Sequence, residues 1–388
     1  MDAPPSNGSL GAYYSCLTEA CGFSAKKGEH WKVMGLAAYG KPDQEIMARL
    51  RRTFAVEGMA LREVESTSRI LADFAARRKP NDPPEAAADL ALSGQLVFCE
   101  WAQQMLSAFQ RHTGMKKLVL GGGTALNSSW NGSVVERTGF DELYLPPAPA
   151  DDGNAVGAAL LAYRQDNPGA RFGHGHFTPY LGSEVSIETI RRSVDLGALV
   201  PIRTSESTAI KTARLLAEGK IVAWVQGRAE FGPRALGNRS ILADPRDPKM
   251  KDKINARVKF REKYRPFAPS ILAEHGPAFF DNYQETPYME RALRFKPEVR
   301  RLVPAVVHED GTGRLQTVKK AWNPRYHELI SAFYALTKIP IILNTSLNVM
   351  GKPIIHSAED AIALFYTSGV DVLVIDDYIF QKPASTAA

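Results

Sequence analysis

Residues 226–270, QGRAEFGPRALGNRSILADPRDPKMKDKINARVKFREKYRPFAPS, constrain this chain more than any other part of it. Twelve Lys and Arg (228, 234, 239, 246, 249, 251, 253, 257, 259, 261, 263, 265) stand there against five acids (230, 244, 247, 252, 262). That surplus of seven exceeds the net charge of +6 carried by all 388 residues. Arg228 and Arg234 lie among Gly227, Gly232 and Pro233, so they cannot belong to an ordinary solvated helix face. Gly and Pro turn the backbone tightly, and a turn presenting a guanidinium fork suits a planar oxyanion. A charge run alone is most often a basic surface loop. The interleaved Gln226, Glu230, Asn238 and Ser240 favour a polyanion pocket.

The remainder of the composition sets bounds. The length allows two or three domains with ample core, and 44% hydrophobic and 23% charged residues are ordinary for a globular protein. A pI near 9.1 suggests anionic ligands but is too mild to make nucleic acid the default partner. Cys16, Cys21 and Cys99 show no CxxC spacing, which suits a reducing cytosol and excludes a cysteine-built zinc site. No apolar run approaches the roughly 20 residues of a membrane span. The first residues also lack the basic segment and apolar core of a signal peptide. A cytoplasmic location and no membrane partner are therefore expected.

In chain order, residues 31–42 (WKVMGLAAYGKP) read as a strand or tight loop feeding a helix near 44–52. Apolar residues recurring at three and four from 85 to 112 predict a long amphipathic helix packed on a sheet. KLVLGGG (117–123) reads as a short buried strand running into a glycine loop, which either cradles a phosphate or simply turns. PPAPADDGNAVGAALL (146–161) is a stiff loop, two aspartates and a small-residue helix, with Asp151 or Asp152 most simply an N-cap. Residues 169–182 read as a linker, and its His174 and His176 read as loop histidines rather than metal ligands. Helices are predicted at 186–194, 209–218, 327–337 and 358–367, and strands at 220–225, within 303–318, at 339–343 and at 370–375. The strand at 339–343 ends in Asn344-Thr345-Ser346-Leu347-Asn348, where open α/β sheets bind ligands.

Seven motifs carry a resemblance: KVMGLAAYG, LGGGTALN, PPAPADDGNAVGAAL, GRAEFGPRALGNRSILADPR, VKFREKYRPFAPS, HEDGTGRLQTV and NTSLN. In this order, from about residue 32 to 382, they resemble the O-carbamoyltransferases of antibiotic and nodulation-factor biosynthesis. The resemblance implies an α/β fold of two modules. Residues 1–172 would be the C-terminal part of a sugar-kinase/Hsp70-like (Kae1-like) carbamoyl-transfer domain. Residues 173–388 would be a YrdC-like domain with a twisted mixed sheet that makes carbamoyl adenylate.

The implied chemistry joins ATP and carbamoyl phosphate into carbamoyl adenylate and passes the carbamoyl group to a small-molecule hydroxyl. By the same resemblance, Lys259, Arg261 and Arg234 would hold phosphates, and Arg228, His308 and Arg314 would face carbamoyl phosphate. Ser346 and Asn348 would hold the adenylate, and Gly121, Gly122, Gly123 and Asn127 would contact the nucleotide. Asp152 would ligate iron or another divalent metal, with Mg2+ accompanying ATP. Family members begin with a strand bearing a catalytic aspartate, followed by a pair of iron-binding histidines. None of the eight histidines here occupies that position. The resemblance therefore implies a chain without its first lobe, and a separate polypeptide as a partner that could supply it. Three rivals stand beside this reading. Hydrogenase-maturation carbamoyltransferases have the reverse module order and cysteine-rich zinc modules. A basic RNA-binding module would spread its charges over an open face. A non-catalytic relic is the third.

Overall fold

The computed structural model describes residues 7–79, 81–171, 177–197, 199–349 and 351–382. They form two compact units, Met1–Leu145 and Pro146–Ala388, dividing earlier in the chain than the expected junction at residue 172. His174 and His176 lie outside the described residues.

In the first unit, helices Leu10–Ala20, His30–Ala37 and Gln44–Arg51 precede a hairpin of β1 (Phe54–Glu57) and β2 (Ala60–Glu63). Helix Thr67–Ala75 and the long helix Ala88–Thr113 follow, then β3 (Lys117–Val119) and β4 (Glu142–Tyr144), paired in parallel. The long helix was expected on a sheet. It packs instead mainly on helices His30–Ala37 and Gln44–Arg51. Its Gly94 lets Leu17 approach, because a Cβ there would lie 2.5 Å from a Leu17 methyl. Trp101 receives the rings of Tyr13 and Phe54 edge-on, each with centroids 5.0 Å away.

Two local expectations are corrected. Residues 30–37 are helical rather than extended, because Val33 and Leu36 bury one face three residues apart. Gly40 ends that segment against the long helix, where a Cβ would meet the Ala88 carbonyl at 2.1 Å. The strand before the glycine loop buries only Leu118, and Lys117 and Val119 face outwards. A two-stranded ribbon covered on one face explains the difference.

The second unit holds one eight-stranded mixed sheet. Its strands are β5 (Val222–Val225), β6 (Arg239–Ala243), β7 (Ala268–Leu272), β8 (Arg291–Arg294), β9 (Thr312–Val318), β10 (Ile341–Ser346), β11 (Val372–Ile375) and β12 (Tyr378–Gln381). They lie in the order β12-β11-β5-β6-β10-β7-β9-β8. Neighbours are antiparallel except β11 with β5 and β7 with β9. Every residue of β5, β6 and β7 is buried, so both faces of the central sheet are covered. Helices Thr208–Ala217 and Pro324–Thr337 pack on each other and on the sheet, as Ala358–Thr367 does on β11 and β5.

The chain begins this unit with helix Asp151–Asp166, which has no buried residue. Its N-cap is Ala150, so Asp151 and Asp152 occupy the first turn instead of capping it.

Candidate anion-binding site

Two segments converge at the end of β10. Helix Met250–Ile254 continues into a π-helical turn, Asn255–Lys259, which stops at Phe260 in the left-handed region (φ 50°). Single π turns re-aim side chains and often sit at functional sites. This one drives Lys259, only 2% exposed, into the interior. Its ammonium donates to the Ser346 and Asn348 carbonyls, to Asn348 Oδ1 at 2.7 Å and to Ser346 Oγ at 3.3 Å. Ser346 Oγ donates in turn to Asn348 Oδ1 at 2.7 Å. The two residue pairs singled out from the sequence, 259/261 and 346/348, thus come together through Lys259, Ser346 and Asn348. Burial, with the charges of Arg261 and Arg265, holds the Lys259 pKa well below the usual lysine range.

Arg261 is fixed from two sides. Its Nε donates to Asn255 Oδ1 at 2.7 Å, and its guanidinium stacks 4.6 Å over the Phe267 ring. Burial and Arg265 pull it down to about 9, against the opposing charge of Glu262. Arg314, on β9, is also held well below the usual arginine range, by burial first and then by Arg234, Arg261 and Arg265. Burial alone brings Arg234 down to about 10. A guanidinium keeps its proton across the ordinary pH range. The unfavourable self-energy therefore remains in the folded state, available for relief by a bound anion.

The compensation is sparse. Arg265 pairs with Glu262 at 3.4 Å. Among the described residues, neither Arg234 nor Arg314 makes a side-chain hydrogen bond or ion pair, and Arg314 Nε is buried without a partner. His308 completes the cluster. Its Nδ1 meets Thr312 Oγ1 at 3.1 Å, and the ring also lies against the Phe267 backbone, whose hydrogen bond favours the protonated form. Burial lowers its pKa to about 4, with Asp310 opposing and Arg314 and Lys251 reinforcing, so the ring is neutral at pH 7.

Other candidates lie elsewhere. Arg228 is exposed, donates to the Leu181 carbonyl at 3.0 Å and lies 3.9 Å from Glu184, so it is not brought into the cluster. In the first unit, Asn127 is buried and fully engaged. It exchanges hydrogen bonds with Gln95 and caps helix Ser128–Asn131 by accepting from Trp130 N–H. Gly121, Gly122 and Gly123 are exposed, with φ 94° at Gly122, and a Cβ on Gly122 or Gly123 would meet nothing within 4 Å. Asp152, in the second unit, is exposed and accepts from the Gly153 N–H at 3.1 Å. A metal site needs several donors converging. Among the described residues no group of three or more His, Cys, Asp or Glu gathers, so Asp152 supplies one carboxylate and not a ligand set.

Sequence reasoning missed Asn255 and Arg265. Both lie within the basic stretch, but only the structure shows that Arg261 reaches back to Asn255 and that the Arg265 side chain is largely buried. Conversely, Arg239 belongs to that stretch yet is structural. It is fully buried and donates to the carbonyls of Gln226, Gly227, Asn238, Ser183 and His356.

The second unit is thus an α/β unit that gathers buried cations, two of them without a side-chain hydrogen bond or ion pair among the described residues. The chain belongs to the carbamoyltransferase family. Residues 3–160 match the model of the carbamoyltransferase N-terminus, and residues 213–382 that of the carbamoyltransferase C-terminus. The nodulation protein NolO of Bradyrhizobium diazoefficiens is 38% identical over 98% of this chain and 70% of its own length. The nodulation protein NolNO of Sinorhizobium fredii is 38% identical over 97% of this chain but 56% of its own. The 3'-hydroxymethylcephem-O-carbamoyltransferase of Amycolatopsis lactamdurans is 34% identical over 78% of this chain and 55% of its own. This chain thus spans between 55% and 70% of the length of these relatives.

Proposed function

We propose that the second unit is the YrdC-like module that forms carbamoyl adenylate from ATP and carbamoyl phosphate, as one half of an O-carbamoyltransferase. The observation that carries this reading is the cation cluster of Lys259, Arg261, Arg234 and Arg314, with its two unpaired guanidiniums. In balanced form, water cleaves carbamoyl phosphate to carbamate and inorganic phosphate. A carbamate oxygen then attacks the α-phosphorus of ATP and pyrophosphate leaves. Each step moves negative charge between phosphoryl oxygens, and preorganised cations in a desolvated site stabilise that charge. Lys259 and Arg261 would hold the nucleotide phosphates, with Ser346 and Asn348 as hydrogen-bonding neighbours. Arg314 and the neutral His308 would receive carbamoyl phosphate, with Arg234 between the two ligands.

In the second half-reaction a hydroxyl of a small molecule attacks the carbamoyl carbon and AMP leaves. The relative named for a hydroxymethylcephem supports an alcohol acceptor. We assign this transfer to the longer assembly that the relatives represent, its further segment lying in the same polypeptide or in a separate one.

The deciding assay is pyrophosphate release from ATP. We expect release that depends on carbamoyl phosphate and disappears in Arg314→Ala. Release independent of carbamoyl phosphate, or no release from a folded protein, overturns the proposal.

A further inference from the structure

The loop that carries Arg234 rests on a row of polar side chains drawn from five adjacent strands. Side chains on a strand alternate between faces, so residues paired directly across a ladder share one face. Trp224 of β5 pairs with Ser240 of β6, which pairs with Ser346 of β10. Ile342 of β10 pairs with Ser270 of β7, and Ser270 pairs with Gln316 of β9. Asn344 lies between Ile342 and Ser346 on that same face.

The row grips consecutive backbone groups of the loop. Asn344 Nδ2 donates to the Ala235 carbonyl at 3.2 Å, and Gln316 Nε2 to the Leu236 carbonyl at 2.8 Å. Trp224 Nε1 donates to the Gly237 carbonyl at 2.9 Å, and the Gly237 N–H donates to Ser240 Oγ at 3.1 Å. Ser270 ties the row together, donating to Gln316 Oε1 at 2.6 Å and accepting from Asn344 Nδ2 at 3.1 Å.

Ser270, Gln316 and Asn344 are at most 2% exposed, in the centre of the sheet. Polar groups there are costly unless they are hydrogen-bonded, and the Tyr326 hydroxyl also lies against Ser270 and Asn344. Apolar side chains would serve the core better. Meanwhile Arg234, one residue before the gripped segment, makes no side-chain hydrogen bond or ion pair among the described residues. The same segment is held from other sides by Glu230 Oε1, which accepts from the Leu236, Asn238 and Arg239 amides, and by the Tyr180 hydroxyl, which donates to the Leu236 carbonyl.

We infer that Ser270, Gln316 and Asn344 are positioning residues for Arg234, holding the carbonyls of Ala235 and Leu236 so that its guanidinium enters the anion cluster preorganised. The inference rests on the proposed role of Arg234 in binding phosphate. A donor shifted by a fraction of an ångström loses much of its value in such a site.

The test uses the whole chain, ATP as the probe, and Gln316→Leu with the gentler Ser270→Ala. Ile342→Val, on the same face of β10, controls for general loosening of the core. In ATP titrations we expect Gln316→Leu to weaken binding roughly tenfold, and to add little once Arg234→Ala is present. Ser270→Ala should do the same to a smaller degree, which keeps the test alive if Gln316→Leu does not fold. In the ligand-free protein, the amides of Leu236, Gly237 and Asn238 donate to Glu230 Oε1 and Ser240 Oγ, and loosening the neighbouring carbonyls should accelerate their hydrogen exchange in both variants and not in Ile342→Val. An equal loss of affinity with and without Arg234, or unchanged exchange, overturns the inference. If the parent chain binds no ATP, the phosphate reading fails by itself, and the exchange measurement still decides whether the row fixes the loop.

Discussion

Lys259 is a buried cation whose four nearest acceptors all come from Ser346 and Asn348. If it and Arg261 meet nucleotide phosphates, ATP should raise the melting temperature by mass action. Lys259→Ala and Arg261→Ala should each abolish most of that rise, and a rise surviving in both would remove them from the site. His308 bears on stability in a different way. Its folded pKa of about 4 lies below the ordinary 6.5, so between those values the unfolded chain binds a proton that the native chain refuses. Stability should therefore fall as pH drops from about 6.5 to 4, with no effect of this residue above that window. In denaturant titrations at pH 7.5 and 5, His308→Gln should lose part of that slope; an identical slope in both proteins would contradict the burial argument.

At the scale of elements, the loop over the sheet depends on Gly237. Its φ is +102°, and a Cβ would lie 2.4 Å from the Tyr326 ring. Gly237→Ala combines backbone strain with a clash against a fully buried aromatic, and should cost at least about 2 kcal/mol. The denaturation midpoint measures this, and a change below about 0.5 kcal/mol would show that the loop can shift freely. Such devices mark the limit of what the sequence discloses. Helices and strands with strong periodicity were legible: the predicted helix at 358–367 matches Ala358–Thr367, and 220–225 contains β5. The sites 259/261 and 346/348 were legible as motifs, and their meeting followed from the resemblance. The segment 30–37 was not, because its Gly and Ala content suits a tight loop as well as a short helix, and only the packing of Val33 and Leu36 decides between them. β6 was hidden because a strand opening with a buried Arg looks like part of a charged loop. No local signal marks that Arg239 gives its donors to five carbonyls while Arg234, in the same stretch, gives none to any described residue.

At the scale of the molecule, every member of the cation cluster lies in the second unit, which has its own apolar core from Ile190 to Phe380. A fragment of residues 146–388 should therefore fold and show the same ATP-dependent rise in melting temperature as the whole chain. A folded fragment with no response would mean that residues 1–145 contribute to the nucleotide site. The first unit has a separate aromatic core around Tyr13, Phe54 and Trp101, so its removal should leave the second sheet intact.

The contacts of Lys259 also decide how the site behaves when empty. An ammonium already surrounded by protein oxygens is a poor scavenger, since stray chloride or phosphate must displace partners that sit permanently at high local concentration. If an anion binds at Lys259, its entry there is an exchange reaction in which the ligand's oxygens replace those of Ser346 and Asn348. On the proposed reading, the Lys259 side of the pocket discriminates by what it asks a guest to give back, whereas Arg234 and Arg314, without such partners, attract any anion that reaches them.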